Sequence, residues 1–211
     1  TIHETVVEVI EATTQEAAHQ LAADGDVVVL NFASARNPGG GFLGGARAQE
    51  EELCRCSGLY DTLLTQPTYY QLPRSQRTLL YSDHLIYSPH VPWFRTSAQA
   101  PLLEEPFLAS VITAPAPNAG AIRRNQPEEL SQLRETFARR WANILACAED
   151  NAQHTLVLGA WGCGAFRNDP RLVAETARDV LESLRFAGVF RRVAFAIPRF
   201  SQHSSVNYDA F

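Results

Sequence analysis

Two stretches of this 211-residue chain combine residue types that could do chemistry. The first is Gly39-Gly40-Gly41, followed seven residues on by Gln49-Glu50-Glu51-Glu52. Three successive glycines let a backbone take positive φ and approach a ligand closely, so this loop could wrap a sugar or a phosphate. Carboxylates are the residue type for general acid–base work. On a helix successive side chains are about 100° apart, so at most two of the three glutamates can face one ligand. Acidic residues in a first turn also simply complement the helix dipole, and in an arbitrary sequence that bland account is the better one. Here the triple glycine and Gln49 shift the balance toward a site. The second stretch, Leu158-Gly-Ala-Trp-Gly-Cys-Gly-Ala-Phe166, places glycines at 159, 162 and 164 ahead of a helix. Such a loop presents N–H donors to an anion. Its G-x-x-G-x-G spacing is inverted relative to the dinucleotide fingerprint, which weighs against a nicotinamide or nucleotide-sugar enzyme.

Composition narrows the chemistry further. All 18 cationic residues are arginine, since the chain has no lysine, and it has no methionine either. This excludes Schiff-base catalysis, the lysine-bearing phosphate loop and the protein-kinase site. Phosphate must therefore be met by arginine, backbone N–H groups or a metal. A net charge of -5 supplies no long-range field toward a nucleic-acid duplex, so no sequence-specific nucleic-acid partner is expected. Four cysteines are too few for a disulfide scaffold, and no secretory leader or membrane-length apolar run is present. Reduced thiols, a cytoplasmic location and no membrane partner are the expectations. Cys54 and Cys56 sit about 200° apart on a helix and cannot grip one metal together. Cys163 reads as a small loop residue. The six histidines show no ligand spacing, so no metal and no cofactor are expected. Arg123-Arg124 and Arg139-Arg140 read as solvated pairs.

The elements that must position these loops alternate along the chain. Val6 to Ile10 reads as a strand, and Thr13 and Glu16 have capping-box spacing for a helix to Ala23. Asp26 to Phe32 is a continuous apolar run, the pattern of a strand buried on both faces. The first glycine loop leads to a helix expected from about Ala46 to Leu64. The proline-interrupted middle, 65–125, yields only short candidate strands at Leu85 to Tyr87 and Ala109 to Thr113. Leu130, Leu133, Phe137, Trp141 and Leu145 mark an amphipathic helix from Glu128 to Ala148. The strand-glycine-helix unit then repeats: strand Thr155 to Leu158, loop, helix Pro170 to Phe186 and strand Arg192 to Ile197. This alternation is that of an α/β fold with a mostly parallel sheet, and residues 1–211 are expected to form a single domain.

The segment Leu30 to Glu51, with its glycine triplet and Gln49-Glu50-Glu51, resembles the signature of the bacterial-type poly(ADP-ribose) glycohydrolases, a branch of the macrodomain fold. The Gly-Ala-Trp-Gly-Cys-Gly-Ala-Phe loop resembles that family's diphosphate-binding loop. The resemblance implies a three-layer α/β/α macrodomain-like sandwich with a mixed, mostly parallel sheet. It implies that Glu51 is the catalytic acid/base, with Glu50 holding hydroxyls of the released ribose. Gly39, Gly40 and Gly41 would line that ribose, with Asn37 and Gln49 also substrate-binding, Gly162, Cys163, Gly164 and Ala165 would clasp the diphosphate, and Phe166 would lie against the distal ribose. Asn207, Tyr208 and Phe211 are the candidates for adenine. The substrate would be poly(ADP-ribose) or an ADP-ribosylated protein, the product ADP-ribose, and the enzyme a monomer. There is no room for the accessory domain of the larger animal enzymes, which points to cleavage at chain ends. A hydrolase of mono-ADP-ribose and a non-catalytic ADP-ribose reader are the alternatives, and the Gln49-Glu50-Glu51 triplet weighs against the reader. Backbone shape at Gly162 and Gly164 is expected to govern ADP-ribose affinity more than any single arginine.

Overall fold

A computed structural model describes residues 2–75 and 78–211. Its strands are β1 (Val6–Ile10), β2 (Val28–Phe32), β3 (Ile86–Trp93), β4 (Phe107–Ala114), β5 (Thr155–Leu158) and β6 (Arg192–Ala196). They form one sheet in the order β1-β6-β5-β2-β4-β3. All neighbours are parallel except β3, which pairs antiparallel with β4 at the edge. The helices are α1 (Thr14–Ala22), α2 (Gln49–Cys56), α3 (Leu59–Leu64), α4 (Pro67–Ser75), α5 (Ala119–Asn125), α6 (Leu133–Asp150), α7 (Pro170–Leu181) and α8 (Gln202–Ala210).

The period-two alternation of strand side chains sorts the core into two sides. Val28, Leu30, Ile112, Leu156, Leu158, Val193 and Phe195 pack with Phe137, Trp141 and Ile144 of α6 and with Val173 and Ala177 of α7. Val27, Val29, Val111, Val157 and Ala194 pack on the opposite side with Ala17, Ala18 and Leu21 of α1, Leu53 of α2 and Leu59 and Leu63 of α3. The result is a three-layer α/β/α sandwich. Both sheet faces are covered, which is why these strands read as unbroken apolar runs.

Local signals set several boundaries. Thr13 accepts the Glu16 N–H at 3.3 Å while Glu16 accepts the Thr13 N–H at 2.8 Å, completing the expected capping box. Asp169 caps α7, with Pro170 in its first turn. Other boundaries differ from the sequence reading. The helix expected over 46–64 is two helices. Ser57 between them is extended, pairs with Trp93 in an isolated bridge, and donates its hydroxyl to Leu53 O at 2.8 Å. The amphipathic pattern from Glu128 opens as a 3-10 turn over Pro127–Gln132 before α6 carries on to Asp150. Helix α7 stops at Leu181, five residues before Phe186, where the Ser183 hydroxyl donates to Val180 O at 2.6 Å. The candidate strands of the middle segment are longer than their apolar cores. Helices α4, α5 and α8 are too short to show a legible helical period.

Candidate active site

The chain leaves the carboxyl ends of β2, β5 and β6 into loops that converge on one cleft of about 880 Å³. That is the place where open parallel sheets put their ligands. From β2 come Phe32, Ser34, Asn37, Gly40 and Gly41; from β5, Ala160 to Gly162 and Gly164 to Phe166; from β6, Ile197, Pro198 and Phe200. Ala116, just past β4, and Thr13 to Gln15 at the start of α1 complete the wall, with Asn207 of α8 at the edge.

The floor is the start of α2. Glu51 is 7% exposed and both its oxygens are held: Gly41 N–H donates to Oε1 at 2.7 Å and Ala48 N–H to Oε2 at 3.0 Å. Ala48 has no polar side chain to cap the helix, so Glu51 reaches back and does it. The glycines of the first loop make room for this. Gly39 and Gly40 have φ of 67° and 60°, and a Cβ on Gly40 would lie 2.4 Å from Glu51 Oε1 and 3.0 Å from Glu50 Oε2.

Glu50 is 3% exposed and points toward the strand ends. Ser34 N–H donates to its Oε2 at 2.7 Å and Asn31 Nδ2 to its Oε1 at 3.2 Å. Burial pushes its carboxyl up to about 8 despite these donors, and the neighbouring Glu51 adds to the rise. Glu50 therefore stays largely protonated at neutral pH. Gln49 lines the cleft too, but its carboxamide is engaged by the protein. Phe32 N–H donates to its Oε1 at 2.9 Å, and its Nε2 donates to Leu30 O at 2.8 Å and Thr14 Oγ1 at 3.1 Å. It braces α2 against β2 and α1. Glu52 also borders the cleft, although its Oε1 accepts the Ala98 N–H at 2.8 Å, so all three glutamates contribute to the lining where helix geometry led to an expectation of two at most.

The second loop is folded by its own hydrogen bonds. Cys163 N–H donates to Ala160 O at 3.1 Å, Arg167 N–H to Gly164 O at 2.9 Å, and Asn168 N–H to Gly162 O at 3.2 Å. The N–H groups of Gly162, Gly164, Ala165 and Phe166 have no acceptor among the described residues, and they belong to residues that line the cleft. Gly162 has φ of 74°, and a Cβ there would lie 2.5 Å from Ala116 Cβ and 2.6 Å from Asn168 Nδ2. Gly164 has open space around it. The two glycines thus differ, although the sequence treats them alike: only Gly162 needs to be glycine for backbone shape.

Four of the sequence-derived candidates, Gly39, Cys163, Tyr208 and Phe211, stand outside the cleft lining. Gly39 is buried, packed so that a Cβ would meet the Tyr60 ring at 2.8 Å. Cys163 is 1% exposed in the core, its thiol pushed up to about 12 by burial. Phe211 packs on Phe195, with ring centroids 5.1 Å apart. Of the adenine candidates, Asn207 lines the cleft, 8% exposed, with an Oδ1 that has no partner among the described residues. Tyr208 lies under Arg199, whose guanidinium carbon is 4.9 Å from the ring centre.

Asn31, Ser34, Thr14 and Phe200 were not singled out from sequence. Asn31 had a signal: it is the one polar residue in the apolar run Val27 to Phe32. Among the described residues, no group of three or more His, Cys, Asp or Glu is placed to hold a metal, and no helix is long and apolar enough to cross a membrane.

A three-layer sandwich with a mixed, mostly parallel sheet and its cleft at the carboxyl ends of the parallel strands is macrodomain-like in fold. The family model described as microbial-type PARG, catalytic domain, matches residues 1–96. The solved poly(ADP-ribose) glycohydrolase of Deinococcus radiodurans in complex with ADP-ribose is 46% identical, with a TM-score of 0.93, over 100% of this chain and 83% of that one. The Thermomonospora curvata glycohydrolase bound to the inhibitor ADP-HPD is 45% identical, with a TM-score of 0.91, over 99% of this chain and 80% of that one. No curated protein sequence matches. The chain belongs to the bacterial-type poly(ADP-ribose) glycohydrolase family.

Proposed function

We propose that this chain is a poly(ADP-ribose) glycohydrolase: it hydrolyses the ribose–ribose O-glycosidic bond at the polymer end and releases ADP-ribose. The observation that carries the reading is the placement of Glu51, fixed through both oxygens by Gly41 and Ala48 N–H groups on the floor of a cleft whose facing loop offers unengaged N–H donors. A cleft of about 880 Å³ falls in the range of small-molecule sites. Two solved family members hold ADP-ribose and the inhibitor ADP-HPD, respectively.

In this reading the diphosphate rests on the N–H groups of Gly162, Gly164 and Ala165, and the ribose with the scissile bond lies over Gly40 and Gly41. Glu51 gives its proton to the departing oxygen as the C–O bond breaks, leaving an oxocarbenium-like sugar. The same carboxylate then takes a proton from water, whose oxygen bonds to the anomeric carbon. The products are ADP-ribose and a polymer one unit shorter that ends in a hydroxyl. The bound diphosphate offsets positive charge on the sugar. Glu50, largely protonated, meets ribose hydroxyls, and Asn207 Oδ1 is an acceptor suited to an adenine amino group. Residues 1–211 act as one catalytic domain, monomeric and cytoplasmic, with no cofactor.

Labelled poly(ADP-ribose) on an automodified acceptor provides the test. Release of ADP-ribose monomer from chain ends is the expected result. Oligomeric products would replace end cleavage with internal cleavage, removal of the last acceptor-linked unit would favour a mono-ADP-ribosyl hydrolase, and tight ADP-ribose binding without release would favour a reader.

A further inference from the structure

A row of groups extends from the cleft-lining Phe166. Phe166, at the end of the second glycine loop, faces Tyr81 with ring centroids 6.2 Å apart. The guanidinium carbon of Arg36 lies 6.0 Å from the centre of the Tyr81 ring, and Arg36 directly precedes the cleft-lining Asn37. On the other side of Phe166, α5 is docked on the loop. Gly120 N–H donates to Phe166 O at 2.9 Å and Arg123 Nη1 donates to Arg167 O at 3.0 Å.

The row is built rather than incidental. Tyr81 and Arg167 have φ of 63° and 54°, a conformation that side chains other than glycine rarely adopt. Tyr81 is held there by the buried Arg140, whose guanidinium donates to Tyr81 O at 2.9 Å, Pro115 O at 2.8 Å and Asp83 Oδ1 at 2.9 Å. Surface arginines such as Arg134, Arg139, Arg185 and Arg192 each meet a carboxylate, while exposed Arg47, Arg171 and Arg191 meet none among the described residues. Exposed Arg123, Arg124 and Arg167 also meet none among the described residues, in a chain whose net charge is -5. A half-buried aromatic ring with one guanidinium group over it, and further guanidinium groups on the α5 side of Phe166, matches a purine joined to a diphosphate.

We propose that this row is a subsite for a second ADP-ribose unit of the polymer, the one on the leaving side of the scissile bond. Tyr81 stacks its adenine, and Arg123 and Arg167 meet its diphosphate. The assignment to the leaving side follows from Arg36 and Asn37, which belong to the loop that holds Glu51. The proposal rests on the reading of the cleft as the site of one ADP-ribose unit.

The test measures affinity in a Glu51→Gln background for ADP-ribose, for an ADP-ribose oligomer of defined length, and for single-stranded oligoadenylate of matched charge. Tyr81→Gly removes the ring while accepting the same backbone angle. It should raise the oligomer Kd about tenfold and leave the ADP-ribose Kd within about twofold, with Tyr81→Phe restoring the wild-type values. Arg123→Gln, on an exposed helix face, carries the test independently should Tyr81→Gly fail to fold. It should reduce the salt-dependence slope of oligomer binding by about one. Unchanged oligomer affinity, or an equal loss for ADP-ribose itself, would overturn the subsite. So would oligoadenylate that binds as tightly as the oligomer and weakens in parallel, which would mark an RNA surface. A wild-type protein that releases no ADP-ribose would overturn the glycohydrolase reading, while these affinities still decide the subsite.

Discussion

Replacing Glu50 by Gln should change how stability depends on pH. Folded Glu50 keeps its proton up to pH of about 8, whereas an unfolded glutamate gives it up near 4.5. Between those values the folded state binds one proton more than the unfolded state, so stability falls as pH rises, by about 1.4 kcal/mol per pH unit. From pH 4.5 to 7 the loss attributable to Glu50 is on the order of 3 kcal/mol, and above pH of about 8 it levels off. Glutamine has the same shape and does not titrate. Its NH2 group can be met by Asn31, whose Oδ1 has no partner and which a half-turn of the amide would present. Urea denaturation of both proteins from pH 5 to 9 isolates this contribution, because every other titrating group cancels in the difference. The variant should gain on the wild type by about 1.4 kcal/mol per unit up to pH of about 8 and then run parallel. Parallel profiles throughout would refute the protonated, buried Glu50.

Other substitutions separate the parts of the site. Gly40→Ala places a methyl 2.4 Å from Glu51 Oε1 at a residue with φ of 60°, so turnover should fall about 100-fold or more while circular dichroism shows a folded protein. Gly162→Ala, with 2.5 Å to Ala116 Cβ, should weaken ADP-ribose binding at least tenfold by calorimetry, whereas Gly164→Ala, in open space, should stay within about threefold. The thiols of Cys54, Cys56 and Cys163 are each pushed up to about 12 by burial, so at pH 7 an alkylating reagent should modify them, and inactivate the protein, no faster than it unfolds.

Much of this architecture could be read from the chain because the signals were local and strong. Buried parallel strands read as apolar runs, Thr13 and Glu16 marked a helix start, and two glycine loops at strand ends marked one crevice. What escaped depended on tertiary contact. Ser57 breaks a helix because Trp93 pairs with it across 36 residues of sequence, and nothing near Ser57 announces that. Gln49 belongs to the right motif, yet only the fold shows its amide tied to Leu30, Phe32 and Thr14. The same holds for the two neighbouring glutamates. Their order suggested roles, while the raised proton affinity of Glu50 arises from burial against β2, which spacing along the chain does not encode. Arg123 looked like an ordinary solvated residue until α5 placed it against Arg167 O beside Phe166.

The central claim is that Glu51 moves the proton while the loops bind the ligand. Glu51→Gln should accept the Gly41 N–H through its carbonyl oxygen as Glu51 does, at the cost of the Ala48 contact. Measured side by side, the variant should bind ADP-ribose within about threefold of the wild type and release it from labelled polymer at least 1,000-fold more slowly. Polymer turnover within tenfold of wild type, with binding intact, would contradict the account.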